Sequence, residues 1–541
     1  MFFPIRKNLV IGLGLVNAIN LSEFKAILAH EFGHFSQRSM KLGSYVYNVN
    51  HIIYNLLYDN EGYGRSLETW GSLSGIFALF ATITVKIVQG IQWILQGVYT
   101  IINKQYMSLS REMEFHADTV AASVSGSESL ITSLNRMELV DTAFNEVLQF
   151  YHYHGKEGIR PENLYPQHFE NMMLLAKHSG TAIQEGLPAG EGNSLSALAK
   201  PRINFKDQWA SHPSNEDRES NLRQLNIQAQ RMPASAWAIF VKPERLQKEM
   251  TDKLYPAEPG KAVHAWDLAT FLSRIESNRE KFKIDDCYRG HFDDRDFTQI
   301  NLEQVKAITV SEKLLTDILT DQVLALPHRF KSIATDLNTL HSMKTGELPA
   351  SHFEFDGQKM HIADTFSLQQ QLERELEEVK KEIEQSDERF IAFFLNAADR
   401  KGQKEQLLQQ YYELLALISV SEEDHKRYVE LMTEIMPIYQ GGIEMDHTQN
   451  IMEKVRLLEV PIKERLQQFI QSSDKELLSA AERQRVAEYV EKDHPYFSNS
   501  IFLHNAFELL TDAMVSYSNL AAEKKTLAKK QLLESQLRYL E

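Results

Sequence analysis

A mainly α chain in two parts is what this sequence predicts, and three observations predict it. The segment His30-Glu31-Phe32-Gly33-His34, inside AILAHEFGHFSQR, sets two histidines one helical turn apart on one face. Far downstream, Leu368, Leu372, Leu376, Val379 and Ile383 make an apolar stripe between charged neighbours in QQQLERELEEVKKEIEQ. That is the spacing of a long amphipathic helix in a bundle or antiparallel coiled coil. Further helical patterns occupy residues 402–420, 422–436, 448–472, 474–493 and 503–539. Against them stands one expected strand, at residues 8–12.

Length and charge set the frame. A chain of 541 residues is too long for a single core and points to about two to four domains. Its net charge of -16 argues against nucleic-acid binding, which wants basic surface. Cys287 is the single cysteine, so no intramolecular disulfide and no cysteine-type structural zinc site can form. No apolar core followed by a small-residue cleavage site opens the sequence, so no secretory signal is read there.

The first helix is expected to begin at Ser22, a capping residue followed by the acid Glu23 at the positive end of the helix dipole. Phe24, Leu28 and Phe35 fall on or near one side, as packing requires, while Ile27, His30, Glu31, His34 and Arg38 share another. A purely structural helix would avoid such a polar face in apolar surroundings. Two imidazoles at i and i+4 can share one metal. Glu31 stands close enough to hold a water on that metal without being a ligand, the H-E-x-x-H arrangement of zinc-dependent peptidases. Gly33 costs about 1 kcal/mol of helix propensity relative to alanine, and its missing side chain lets another backbone or a substrate approach the metal face.

From Thr69 to Asn103 the only charged residue is Lys86. The run before it, including Gly75 to Val85, is strongly apolar and at the lower length limit for a membrane span. The run after it carries Gln89, Gln92, Gln96, Thr100 and Asn103 at helical spacing, a polar stripe suited to an interfacial or protein-packed helix. A hairpin of two short spans, one long tilted helix and a buried helical pair are the three arrangements open to this segment, and membrane contact is the expectation.

A catalytic zinc takes three protein ligands and leaves a position for water. The third is sought in Ser110-Arg111-Glu112-Met113-Glu114-Phe115-His116-Ala117-Asp118, a segment of helical character. Glu114 and Asp118 are four apart, so one helix can supply both a ligand and a carboxylate behind the ligands. Metal-bound histidine commonly donates its other N–H to such a carboxylate, and Asp118 suits that role. Glu112 and His116 are rival ligands, but each points to nearly the opposite side of the helix from Glu114.

With these residues the sequence resembles metallopeptidase family forty-eight, the gluzincins that include the HtpX-type, CAAX prenyl and Oma-type enzymes. H-E-F-G-H is followed, 80 residues after its second histidine, by E-F-x-A-D in a run beginning S-R. Ser211-His212-Pro213-Ser214-Asn215-Glu216-Asp217-Arg218 is similar to the family's H-P-x-x-x-x-R signature. The resemblance covers about residues 4 to 225 and implies that His212 and Arg218 line the site, where they polarise or position the scissile carbonyl. It also implies that the natural N-terminus precedes Met1, since family members carry substantial sequence before the segment read here as Asn8 to Leu15.

Beyond residue 225 the chain turns charged and rich in Leu and Gln, with turn signals at Pro256–Gly260 and Gly346–Pro349. No glycine-rich phosphate loop and no G-x-S-x-G elbow appear. Asp293, Asp294 and Asp296 could bind a cation, although solvated loop acids are far commoner. The divisions expected are a catalytic domain at 1–225, a mostly helical connecting region at 226–350 and a helical accessory domain at 351–541.

The expected fold is therefore mainly α: a gluzincin-type zinc metallopeptidase domain with a small residual β edge, then a large helical C-terminal domain. The expected function is a membrane-associated zinc metalloendopeptidase with its catalytic domain on the cytoplasmic side, acting in protein quality control or processing. His30, His34 and Glu114 hold one Zn²⁺ per chain, Glu31 is the general base, and Asp118 orients His30. A polypeptide substrate lies extended against the strand at Asn8, Val10 and Ile11 as an added strand. A helical protein partner is expected through the C-terminal domain. The competing reading is a catalytically impaired fragment, or a helical scaffold acting through that domain.

Overall fold

The computed structural model describes residues 9–36, 49, 53, 75–155, 158–189, 202–204, 213–256, 264–346, 348, 352–356, 358–440, 445–498 and 501–540. The chain divides into two compact units, one of residues 1–272 with 335–371 and the other of residues 273–334 with 372–541. The divisions at 225 and 350 follow sequence character, whereas these units follow packing.

The first unit opens on α1 (Leu13–Asn17) and α2 (Leu21–Ser36), then α3 (Gly75–Ser125) and α4 (Ser127–Gly155). Further on come α5 (Leu164–His178), α6 (Asn215–Leu225) and α7 (Pro243–Leu254). Small side chains dominate where α2 meets the end of α3: Ala26, Ala29, Ala121 and Ala122 are buried together with Leu130, Ile131 and Leu222. Helices that meet on alanines approach closely, which brings their polar faces within reach of each other. Gly126 turns the chain from α3 into α4 at φ +81, donating its N–H to Ala122 O at 2.8 Å. A Cβ there would be strained by that φ and would lie 3.1 Å from Ala229 N, so glycine is required.

Strand structure is confined to short pieces. Ile159–Pro161 runs parallel to His264–Trp266, Ile183–Gln184 pairs with Leu187–Pro188, and Ile203–Asn204 joins the hairpin of His352–Phe355 and Gln358–His361. The architecture is mainly α, as the sequence predicts. Of the strand expected at residues 8–12, the described residues 9–12 do not form one. Residues 9–12 are irregular and lead straight into α1, where Val16 N–H donates to Gly12 O at 3.2 Å and closes a helical turn instead of a ladder. Among the described residues nothing pairs with 9–12, and Gly12 and Gly14 weaken a strand that has no partner.

The apolar segment is also reassigned. Residues 75–103 belong to α3, an unbroken helix of 51 residues, which excludes a hairpin turning at Lys86. With no proline or turn sequence there, the helix simply continues through the exposed lysine and on to Glu114. No helix is long and apolar enough to cross a membrane among the described residues, so the expected transmembrane span is not found there.

The second unit is built on long helices, with parts of α8 (Leu268–Phe282), α9 (Asp321–Thr345) and α10 (Thr365–Asp399), then α11 (Lys404–Gln440), α12 (Met445–Gln471), α13 (Ala480–Glu491) and α14 (His504–Leu537). One core gathers Tyr288, Phe292, Phe390, Phe394, Tyr411 and Leu533, and a second gathers Leu431, Val455, Leu466, Tyr489 and Tyr517. The two helices expected at 402–420 and 422–436 are a single helix, because Ser421 is buried within it rather than starting a new one. Of the acids of HFDDRDF, Asp296 meets lysines, lying 2.6 Å from Lys525 Nζ and 3.2 Å from the buried Lys529 Nζ.

Candidate metal centre

The helix that carries the two histidines is fixed at its start by a reciprocal cap. Glu23 N–H donates to Asn20 Oδ1 at 2.9 Å, and Asn20 N–H returns to Glu23 Oε2 at 3.0 Å. Ser22, expected as the cap, has another partner: its Oγ accepts from Met232 N–H at 2.6 Å. The Glu23 carboxylate also takes both Nη groups of Arg136, at 2.8 and 3.0 Å, and the hydroxyl of Thr132 at 2.7 Å. No sequence pattern announced Arg136, whose partner is more than a hundred positions away.

Gly33 sets the spacing between α2 and α3. A Cβ built on it would lie 3.1 Å from Ala117 Cα and 3.4 Å from the Cβ atoms of Ala117 and Val120. The close approach that its bare backbone permits is thus to another helix, and Ala117 lies on α3 between Glu114 and Asp118. Glu114 Oε2 is 3.2 Å from His30 Nε2, Glu114 Oε1 is 3.6 Å from His34 Nε2, and the two Nε2 atoms are 3.1 Å apart. Behind the first imidazole, Asp118 Oδ1 stands 2.9 Å from His30 Nδ1. Asp118 is fully buried and is gripped in turn by Arg218, Nε to Oδ2 at 2.9 Å and Nη2 to Oδ1 at 2.5 Å. Ser214 caps the helix that presents this arginine, accepting from Asp217 N–H.

Electrostatics couple the four groups. Burial pulls the His30 imidazole down, but its hydrogen bonds to Asp118 and Glu114 outweigh that and push it up to about 9. Burial raises the Glu114 carboxyl, yet His30 and His34 hold it well below the usual carboxylate range. Asp118 is likewise lowered against its burial, first by Arg218 and then by His30.

The donor set fits a zinc ion. Bonds of about 2.0–2.1 Å in a tetrahedron separate neighbouring donor atoms by about 3.3 Å, and the three separations here bracket that value. A His30 ring that donates from Nδ1 to Asp118 turns the lone pair of Nε2 toward a second imidazole and a carboxylate. Two imidazole nitrogens and a carboxylate oxygen converge there, and a cation that displaces the protons shared among them completes the arrangement. Among the described residues, His30, His34 and Glu114 form a group able to hold a metal, with one ligand atom from each all within 4.8 Å of one another.

Glu31 is exposed beside the two histidines, and the rival ligands Glu112 and His116 are exposed away from the cluster. Val10 is 90% exposed, and Ile11 packs beside the small core of Val16, Ile19, Phe24 and Ala236. Asn8 and His212 lie outside the described residues. Arg218 is brought to Asp118, behind the face of His30 that meets Glu114.

Comparison with known proteins points the same way. Residues 2–226 match the family model described as peptidase family M48. The chain is 25% identical over 228 residues to protease HtpX of Acinetobacter baylyi (strain ATCC 33305 / BD413 / ADP1), which covers 40% of this chain and 57% of that protein. The chain thus spans little more than half the length of the curated relative it matches. No solved structure matches it.

Proposed function

We propose, from the match of residues 2–226 to the model of peptidase family M48, that this chain is a zinc-dependent endopeptidase. The observation that carries this reading is the convergence of His30 Nε2, His34 Nε2 and the Glu114 carboxylate at separations suited to one tetrahedral ion. Those three residues hold the metal. When bound, Zn²⁺ supplies a Lewis acid that polarises the scissile carbonyl and lowers the pKa of water from about 15.7 toward about 7.

The chain's own groups do the rest. Glu31 takes the proton of the attacking water on one carboxylate oxygen and delivers it to the leaving amide nitrogen. Asp118 holds the proton on His30 Nδ1, which keeps Nε2 free as a donor to the metal, and Arg218 holds Asp118. Contact with the developing oxyanion falls to His212 in the same reading. The substrate is a polypeptide laid alongside α2, with the backbone of Val10 and Ile11 available to bind it.

We place the protein at a membrane surface. The support is the apolar stretch 69–103 together with Ile91, Trp93, Ile94 and Val98, which stand exposed on α3. The helical second unit serves partner docking or substrate capture.

The test is Glu31→Gln in the full chain, assayed on an unfolded protein substrate with zinc measured alongside. Retained zinc with turnover reduced about 10²–10⁴-fold supports the assignment. A variant as active as wild type removes Glu31 as the base, and a wild-type chain that binds zinc without cleaving peptides removes the peptidase reading.

A further inference from the structure

A charge pair with no access to solvent lies between α2 and α4. Glu23 is 0% exposed and Arg136 is 3% exposed. The guanidinium reaches three separate parts of the chain: both Glu23 oxygens, Ala18 O at 3.1 Å ahead of α2, and Pro188 O at 2.5 Å in a short hairpin. Thr132, one turn earlier on α4, adds its hydroxyl to Glu23 Oε1, and Asn20 N–H adds a bond to Oε2. Nothing in the chemistry of the metal cluster uses this network.

We propose that Glu23 and Arg136 form a positioning clamp that fixes the rotation of the histidine-bearing helix, so that His30 and His34 meet Glu114 at the geometry a metal needs. The inference rests on the zinc-site reading above. Glu23 precedes His30 by seven residues, two turns, so the two side chains leave α2 on nearly the same face, about 10 Å apart along the axis. A helix held at one point on that face cannot roll without breaking the clamp. The tip of a side chain lies about 6 Å from the helix axis, so a roll of about 10° carries an imidazole nitrogen about 1 Å. Metal–ligand distances tolerate only about 0.2 Å.

The same turn of α4 also reaches the other side of the cluster. Asn135, next to Arg136, donates to Glu219 Oε2 at 3.1 Å, and Glu219 neighbours Arg218, which holds Asp118. One turn of α4 therefore registers both the helix that bears the ligands and the helix that orients His30. As a source of stability alone the pair would be a poor choice. Replacing a buried ion pair by apolar residues of similar volume is often neutral or stabilising, whereas removing one partner strands the other charge.

That asymmetry supplies the test. In the full chain, the double variant Glu23→Leu/Arg136→Met removes both charges together, and Glu23→Gln keeps the shape while removing one. Zinc affinity by chelator competition, the visible spectrum of Co²⁺ in the site, thermal unfolding, and kcat and KM separately are compared with wild type. The clamp predicts a double variant that still folds, less stable because Asn20 N–H, Thr132, Ala18 O and Pro188 O lose their partners, and that binds zinc about 10–100-fold more weakly at a temperature well below its melting point. Its Co²⁺ spectrum is altered, and kcat falls with KM little changed. Wild-type zinc affinity and spectrum in a folded double variant overturn the proposal. If that variant does not fold, Glu23→Gln decides at a temperature well below its melting point: weakened zinc supports the clamp and unchanged zinc overturns it. Wild type that binds metal without cleaving peptide counts against the peptidase reading alone, because affinity and spectrum still report on the clamp.

Discussion

Arg218 grips both oxygens of Asp118, and its Nη2 also comes within 3.4 Å of His30 Nδ1, behind the face that meets Glu114. Its Nε and Nη2 take the two oxygens of that carboxylate, and Asp118 Oδ1 lies 2.9 Å from His30 Nδ1. A bidentate arginine fixes the plane of a carboxylate, and a fixed carboxylate fixes both the tautomer and the angle of the ring it binds. The resemblance to known peptidases implied an arginine at the scissile carbonyl. The described geometry instead occupies its fork with Asp118, behind the ligands.

Asp118→Asn keeps the size of that side chain and removes its charge. Zinc affinity or turnover is expected to fall about 10–100-fold with the site still present. Arg218→Ala should act in the same direction, because it leaves Asp118 buried without its counter-charge. Chelator competition on both variants gives the answer; affinities equal to wild type would reduce Asp118 to a structural helix residue.

Direct removal of a ligand should be harsher. Wild type is expected to carry one zinc per chain, and His30→Ala, His34→Ala and Glu114→Ala should each lose it, since two donors no longer make a coordination set. Elemental analysis of purified protein checks this. Equal zinc in all four proteins would dismiss the cluster as a metal site.

The two helices that bring His30, His34, Glu114 and Asp118 together are legible because the pattern of each is local: i and i+4 histidines in one segment, Glu114 and Asp118 in another. The long amphipathic helices are legible for the same reason, and Leu368, Leu372, Val379 and Ile383 of α10 are buried. What escaped depends on distant partners. Asn8-Leu-Val-Ile-Gly has the composition of a strand, but a strand exists only in a ladder, and residues 9–12 have none among the described residues. Ser22 looked like the cap because it has the right side chain, yet Asn20 makes the reciprocal bond with Glu23, and Met232 claims Ser22. Arg136 gave no signal at all, since its role is defined by Glu23, Ala18 and Pro188 together.

Gly33→Ala tests the spacing between the helices. Alanine gains about 1 kcal/mol of helix propensity over glycine, but its Cβ would stand 3.1 Å from Ala117 Cα, a backbone atom that can yield only if α3 shifts. Overpacking costs about 1–3 kcal/mol, so overall stability should change by no more than about 2 kcal/mol. Metal binding should suffer more, because Ala117 sits between Glu114 and Asp118 and the shift moves both. A melting temperature close to wild type with zinc affinity reduced at least several-fold is the expected pair of results. Unchanged affinity would show that the contact relaxes without disturbing the ligands.

Acid should weaken the fold through the buried His168. Its Nδ1 lies 3.1 Å from Asn17 Nδ2 and its Nε2 lies 3.2 Å from Val140 O, while Asn17 Oδ1 accepts from Trp237 Nε1 at 3.0 Å. An N–H on Nε2 satisfies both contacts, so the neutral ring fits and a second proton on Nδ1 would face an amide donor. Burial pushes this imidazole down to about 4, against smaller opposing effects of the Val140 carbonyl and Asp141. The unfolded chain titrates near the ordinary value of 6.5, so between 6.5 and 4 the unfolded chain carries a proton that the fold refuses. Above 6.5 both forms are neutral and the contribution is complete; as pH falls toward 4 it is lost, by about 3 kcal/mol at the limit. Urea unfolding of wild type and His168→Gln across that window isolates the effect, because other buried groups, including His291 in the second unit, titrate alike in both proteins. Wild type should lose stability more steeply than the variant as the pH is lowered. Parallel pH profiles would mean that His168 takes up its proton without cost to the fold.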